Sequence, residues 1–258
     1  MPDPHVELLR ADAPTARTLA AVFAHPDDET FAMGATLPRY AAVGIALHLL
    51  AATDGDGGRA SGIAVGSREE LGRLRRAELH EAARRLGVRT VTSLGHPDGG
   101  LPAVDADRLV GEVVRFLRAH RPEVVVTFGP EGAPNLHRDH RAISRAATAA
   151  FFLAALPTAH PEQLAEGLSP HAARRLFYVA WQPGTANGAI AAHSVPVTAR
   201  LDAAPWDEAK RAAFDAHRTQ HEFRDRFEEI AMRDDESFAL VAGAPQPRAI
   251  VEDLFEGL

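Results

Sequence analysis

The chain has 258 residues, 46% of them hydrophobic, a formal net charge of -7 and no cysteine. That length is enough to bury a large core, and the negative balance, with no Lys/Arg cluster interleaved with aromatics, excludes a nucleic-acid face. Disulfides, thiolate metal sites and a cysteine nucleophile are excluded as well, so any metal must be held by histidine and carboxylate.

In chain order, Leu19 to Ala24 is a short continuous apolar run ending at His25, and Ile45 to Ala52 is a second that breaks at the turn-rich TDGDGG of residues 53–58. Both read as buried parallel strands. Residues 30–43 between them have helical spacing and end at Gly44, with Pro38 predicting a kink or a late start. Ser67 to Glu70 is a capping box that opens a charged amphipathic helix running to Gly87. Residues 88–94 read as a third strand, 105–120 as a helix with Asp105 as its N-cap, 123–128 as a β-branched fourth strand, and a further helix starts near Asp139. A fifth strand is expected at 177–181, a sixth at 193–198 and a helix at 205–223, while 157–170 and the Gly/Ala-rich 183–192 read as loops. This alternation implies right-handed βαβ units, hence an α/β, Rossmann-like three-layer sandwich with a mostly parallel central sheet. One domain over residues 1–258 is expected. No apolar run is long enough to span a bilayer, and the first twenty residues have neither a basic leader nor an apolar h-region, so a cytoplasmic location is expected.

In such a sheet ligands bind beyond the carboxyl ends of the strands, where the strand order reverses. With the common order 3-2-1-4-5, the first and fourth strands are neighbours across that point. The first delivers AHPDDE, Ala24 to Glu29, and the fourth delivers GPEGAPNLHRDH, with His137, Asp139 and His140. Taken singly, each acidic cluster fits a helix cap; their convergence is what points to chemistry. His25, Asp28 and His140 supply two imidazoles and a carboxylate, which with a water complete the open four-coordinate site of a hydrolytic zinc centre. Asp27 would be free to act as a base toward that water, His137 would face the other side of a substrate carbonyl, and Asp139 would hold a histidine in its needed tautomer.

AHPDDE, the following FAMGAT, the later HRDH, LRRAEL at 74–79, LGHPDGGL at 94–101 and KRAAFDAHRTQ at 210–220 together make the chain resemble the LmbE-like (PIG-L) family of zinc-dependent N-deacetylases. The resemblance implies Zn²⁺ on His25, Asp28 and His140, Asp27 as general base, and His137 polarising the carbonyl or protonating the leaving amine. It also implies that Arg75 and Asp98 contact the substrate, since they match positions that do so in sugar-processing relatives. The implied substrate is a small N-acetylated molecule, an N-acetylglucosaminyl compound above all. Arg138 stands where the family usually has proline, adding a cation near the site.

The same two-histidine, one-carboxylate set describes non-haem iron oxygenases, but the families in question are all-β barrels and this chain alternates strand and helix. An amidase acting on a non-sugar amide, a non-catalytic binder and a homo-oligomeric state stay open. DGDGG at 54–58 is no calcium loop, because Val65 stands where that loop needs its bidentate glutamate. His96 is expected to face solvent. His5, His48, His80, His120, His160, His171, His193, His217 and His221 are expected to be structural or on the surface.

Overall fold

The computed structural model describes residues 17–181 and 195–258 in full and residues 5–8 by their backbone. Its eight strands are β1 His5–Leu8, β2 Thr18–Phe23, β3 Ala46–Thr53, β4 Thr90–His96, β5 Val124–Thr127, β6 Arg175–Val179, β7 Ala199–Asp202 and β8 Asp235–Gly243. They form one sheet in the order β1-β4-β3-β2-β5-β6-β8-β7. The five inner strands β4, β3, β2, β5 and β6 run parallel. β1, β8 and β7 extend the two edges by antiparallel pairing. The predicted order of the parallel strands is therefore the observed one, and β2 and β5 meet at the reversal point.

Leu19 to Phe23 are fully buried because β2 is central and both faces of the sheet are covered. The helices are α1 Asp28–Met33, α2 Thr36–Ala42, α3 Arg68–Arg85, α4 Ala106–His120, α5 Arg138–Leu153, α6 Pro161–Ala165, α7 Asp207–Ala216 and α8 Arg224–Ile230. Crossovers from β2 to β3 to β4 step one way along the sheet, and those from β4 to β5 to β6 step the other way. With right-handed connections, α2 and α3 then cover one face and α4 and α5 the opposite one. Accordingly α3 packs on α7, and α4 on α5.

Several expected elements are redrawn by tertiary contacts. The helix expected at 30–43 is two helices, because the Glu236 carboxylate of β8 accepts the amides of Ala35 and Thr36 and caps a fresh N-terminus there. Pro38 then falls in the first turn of α2, where a missing N–H costs nothing. The third parallel strand starts at Thr90 rather than 88, since Gly87, at φ 76°, and the Val88 amide, bonded to Ala83, close the end of α3. The strand expected at 193–198 is a correction: 193 and 194 lie outside the described residues, 195–198 are irregular, and the strand is β7. The helix expected at 205–223 ends at Ala216 and continues as a 3₁₀ segment, Arg218–Phe223. A five-residue helix, α6, interrupts the loop expected at 157–170, and the loop expected at 183–192 lies outside the described residues. β1 and β8 were not anticipated.

Two buried arginines hold irregular backbone. Arg118 donates to the carbonyls of Ala154, Leu156, Ala159 and His160 and to Gln163 Oε1. Arg175 donates to the carbonyls of Ala244, Pro245, Leu254 and Glu256 at 2.8–3.0 Å, fastening the C-terminal segment to β6. Replacing Arg175 by methionine fills the volume but strands these acceptors, and should cost about 3 kcal/mol of unfolding free energy or more in urea titration.

At the other end of the sheet, the rings of His48 and His120 stack at 4.2 Å. Burial pushes His48 down to about 3, helped by His120 and Arg89, and pushes His120 down to about 4. Both rings are neutral in the fold and protonate more readily once unfolded. Their contribution is thus complete above the ordinary histidine value of about 6.5, declines as pH falls below it, and is fully lost once pH has passed through the folded values of about 4 and 3. His120→Phe removes one such group, so thermal melts between pH 7.5 and 4.5 should fall less steeply for the variant than for the parent.

Candidate active site

The first half of the site is the turn where β2 passes into α1. Asp28 folds back on the strand, its Oδ2 accepting the amides of Ala24 at 3.1 Å and His25 at 2.8 Å. Between them, Asp27 takes φ 109°, a conformation that non-glycine residues adopt at a cost and that clusters at functional sites. Its carbonyl accepts the amides of Thr30 and Phe31. Arg75, reaching from α3 and only 3% exposed, clamps the turn from outside. It donates to the carbonyls of Pro26 (2.6 Å) and Gly55 (2.9 Å) and lies 3.3 Å from Asp27 Oδ2. Gly55 and Gly58 are needed here, since a Cβ at either would run into the guanidinium.

The second half comes from the loop after β5. His137 is the N-cap of α5, its Nδ1 accepting the Asp139 amide at 3.2 Å. His140 stacks on Phe128 with ring centroids 4.0 Å apart, and its Nδ1 lies 3.3 Å from the Ala133 carbonyl. Asp139 is fully buried, accepts the amides of Gly99 and Leu101, and sits 3.3 Å from His25 Nε2. Asp98 Oδ1 lies 3.1 Å from the same nitrogen.

These bonds settle which nitrogens are open. His25 gives its Nε2 proton to Asp98 and Asp139, leaving Nδ1 facing Asp28 at 3.4 Å. His140 gives its Nδ1 proton to Ala133, leaving Nε2 facing Asp28 at 3.2 Å. Two imidazole lone pairs and a carboxylate thus confront one another inside the protein, an arrangement that calls for a positive charge among them and fits a divalent cation. One donor atom each from His25, His137 and His140 also lies within 4.8 Å of the others. Burial alone would lower His25, yet Asp139, Asp28 and Asp98 raise it well above the usual histidine value. Burial would raise Asp28, but His140 and His25 hold it well below the usual carboxylate range.

A cavity of about 450 Å³ opens over these groups. His25, Asp27, Asp28, Arg75, Asp98, His137 and His140, all singled out in the sequence, reach it; Asp139 does not, lying behind His25. Arg138 is exposed and outside the cavity lining. Arg75 is bonded to the turn, while Asp98 lies against His25 and also lines the cavity. Burial raises the Asp27 carboxyl to about 6, against the pull of Arg75. Burial and the neighbouring His25 and His140 lower the His137 ring. Phe31, Phe128, Trp181, Phe223 and Ile230 supply an apolar wall, and Arg59, Asn135, Gln220 and Arg226 a polar one.

One histidine departs from expectation: His96 is buried, its Nε2 2.6 Å from Glu112, rather than facing solvent. His217, expected to be structural or on the surface, is buried against Glu29 beneath the turn after β2. The motif-like HRTQ around His217 was the signal available for it. Glu29 offered none beyond its place in AHPDDE.

A family model described as PIG-L, GlcNAc-PI de-N-acetylase, matches residues 20–151. The chain is 32% identical to the 1D-myo-inositol 2-acetamido-2-deoxy-alpha-D-glucopyranoside deacetylase of Mycobacteroides abscessus, over 95% of this chain and 99% of the relative. It is 34% identical to the enzyme of that name from Streptomyces avermitilis, over 80% and 83%. The fold is shared with the N,N'-diacetylchitobiose deacetylase of Pyrococcus horikoshii, with a TM-score of 0.72, 23% identity and coverage of 87% and 84%. These likenesses favour hydrolysis over the oxygenase reading of the same ligand set. The matched span 20–151 includes the turn after β2 and the start of α5, where the buried donors meet, and with a relative 32% identical over nearly its whole length the chain belongs to the PIG-L family.

Proposed function

We propose that the chain is a zinc-dependent N-deacetylase that releases acetate from an N-acetylglucosaminyl compound, residues 1–258 acting as one catalytic domain. The observation that carries this reading is the pair of open imidazole nitrogens, His25 Nδ1 and His140 Nε2, meeting the Asp28 carboxylate beside Asp27, whose carboxylate lines the cavity with Arg75 at its back. The two relatives named above, both deacetylases of an acetamido sugar, support the substrate class. No helix among the described residues is long and apolar enough to cross a membrane.

Zinc held by His25, Asp28 and His140 would polarise the acetamide carbonyl and acidify a water next to it. Asp27 takes a proton from the attacking water as the oxygen bonds to the carbonyl carbon. A carboxyl near pH 6 is basic enough for this and acidic enough to return the proton to the departing amine as the C–N bond breaks. His137 accepts a backbone amide at Nδ1, so its neutral ring carries the proton on Nε2. That makes it a hydrogen-bond donor to the oxygen that gains charge, rather than an acid for the amine. The polar wall supplies partners for sugar hydroxyls, and Trp181 and Phe223 offer faces for the ring.

The purified protein should carry about one zinc per chain and lose acetate release to chelators. Asp27→Asn should keep that zinc while losing about a hundred- to ten-thousand-fold in kcat, whereas Asp28→Asn should lose zinc affinity as well. Elemental analysis beside an acetate assay checks both; equal activity and equal metal in the two variants would reverse the roles.

Arg75 and Asp98 separate holding from recognition. Arg75→Ala should lower kcat about tenfold or more on the sugar amide and on simple acetamide alike, because it loosens the catalytic turn itself. Asp98→Asn should leave zinc content unchanged and raise KM mainly for the sugar. Losses confined to the sugar in Arg75→Ala would make it a recognition residue instead.

A further inference from the structure

Asp27 holds an unfavourable backbone conformation next to a residue that must face a different way. Asp28 turns back toward His25 and His140, while the Asp27 carboxylate lines the cavity beside Arg75. What holds the amide of the peptide that enters Asp27, Pro26–Asp27, is Glu29. The Asp27 amide donates to Glu29 Oε2 at 3.0 Å. The other oxygen, Oε1, accepts from Thr30 Oγ1 at 2.6 Å and from His217 Nε2 at 2.7 Å. Glu29 is 1% exposed and His217 fully buried, and neither reaches the cavity.

His217 is not simply stitching its own segment to the fold. Among the described residues its Nδ1 makes no hydrogen bond, and Glu29 is the hydrogen-bond partner of the ring. The residues after it are pinned without its ring: the Gln220 amide donates to the His217 carbonyl, Thr219 donates through its amide and hydroxyl to Glu78, and Gln220 Nε2 donates to the Arg59 carbonyl. We propose that Glu29 and His217 are positioning residues of the active site: His217 aims the Glu29 carboxylate, and Glu29 holds the Asp27 peptide in the left-handed conformation that presents its side chain to the substrate. The inference rests on the reading of Asp27 as the base. It assigns a task to a residue outside the matched span 20–151, since His217 sits in the C-terminal part of the chain.

The test is a double-mutant cycle on the zinc-loaded full chain with an N-acetylglucosaminyl substrate. His217→Phe keeps the ring volume and removes the donor; kcat should fall about ten- to a hundred-fold, with KM and zinc content within about twofold of the parent. His217→Gln, which can still donate to Glu29, should recover most of that loss. In an Asp27→Asn background His217→Phe should cause no further loss, since the group it positions is gone. Asp27 amide exchange, followed by NMR on the chelator-stripped protein, should quicken in His217→Phe. Unchanged kcat in His217→Phe, or a full additive loss in the Asp27→Asn background, overturns the proposal while leaving the deacetylase reading standing. If Asp27→Asn is itself fully active, the base assignment and this proposal fail together. Glu29→Gln, isosteric and short of one acceptor, replaces His217→Phe in the same cycle if the phenylalanine variant does not fold.

Discussion

The bond from the Ala24 and His25 amides to the Asp28 carboxylate is the constraint around which the site is organised. It closes the chain on itself within one turn of leaving β2, so that the side chains of His25 and Asp28, three residues apart, lie side by side. It also satisfies amides at the strand end that would otherwise be unpaired. The turn it makes forces Asp27 into the left-handed region, and the environment of that one residue, Arg75 on its carboxylate side and Glu29 on its amide, follows from that requirement.

Around this turn the protein buries several charges that would be ruinous singly. Each has partners that remain whether or not substrate is bound: backbone amides of Gly99 and Leu101 for Asp139, carbonyls of Pro26 and Gly55 for Arg75, Thr30 and His217 for Glu29. A buried polar network satisfied at nearly every member is rigid, and it fixes the adjacent carboxylates of Asp27 and Asp28 toward different neighbours. The antiparallel edge matters for the same reason. β8 carries Glu236, whose carboxylate caps α2 and pairs with Lys210 of α7, and α7 in turn delivers His217 to the back of the site. The C-terminal part of the chain thus braces a cluster, His25, Asp27, Asp28, His137 and His140, that comes wholly from its first 140 residues.

The parallel core was legible from local pattern. Runs such as Leu19 to Ala24 and Glu123 to Phe128 are too apolar and too short to be anything but covered strands, and the helices between them carry their own caps at Ser67 and Asp105. The reversal of strand order then brought His25, Asp28 and His140 together from topology alone. Where expectation failed, the cause lay far away in sequence: Glu236 divides one expected helix, and the pull of Glu29 on His217 accompanies the end of another.

By itself, the sequence determined the class of fold, the place of the site and the residue types able to hold a cation there, because these follow from hydrophobic period and from motifs only a few residues long. The tertiary structure decided which nitrogen of each histidine is open, that Asp139 and Asp98 serve His25, that Arg75 is a clamp, and that Glu29 and His217 stand behind Asp27. Those assignments depend on hydrogen bonds between residues separated by up to 188 positions, and a bond of about 3 Å is a property of packing that no local pattern encodes.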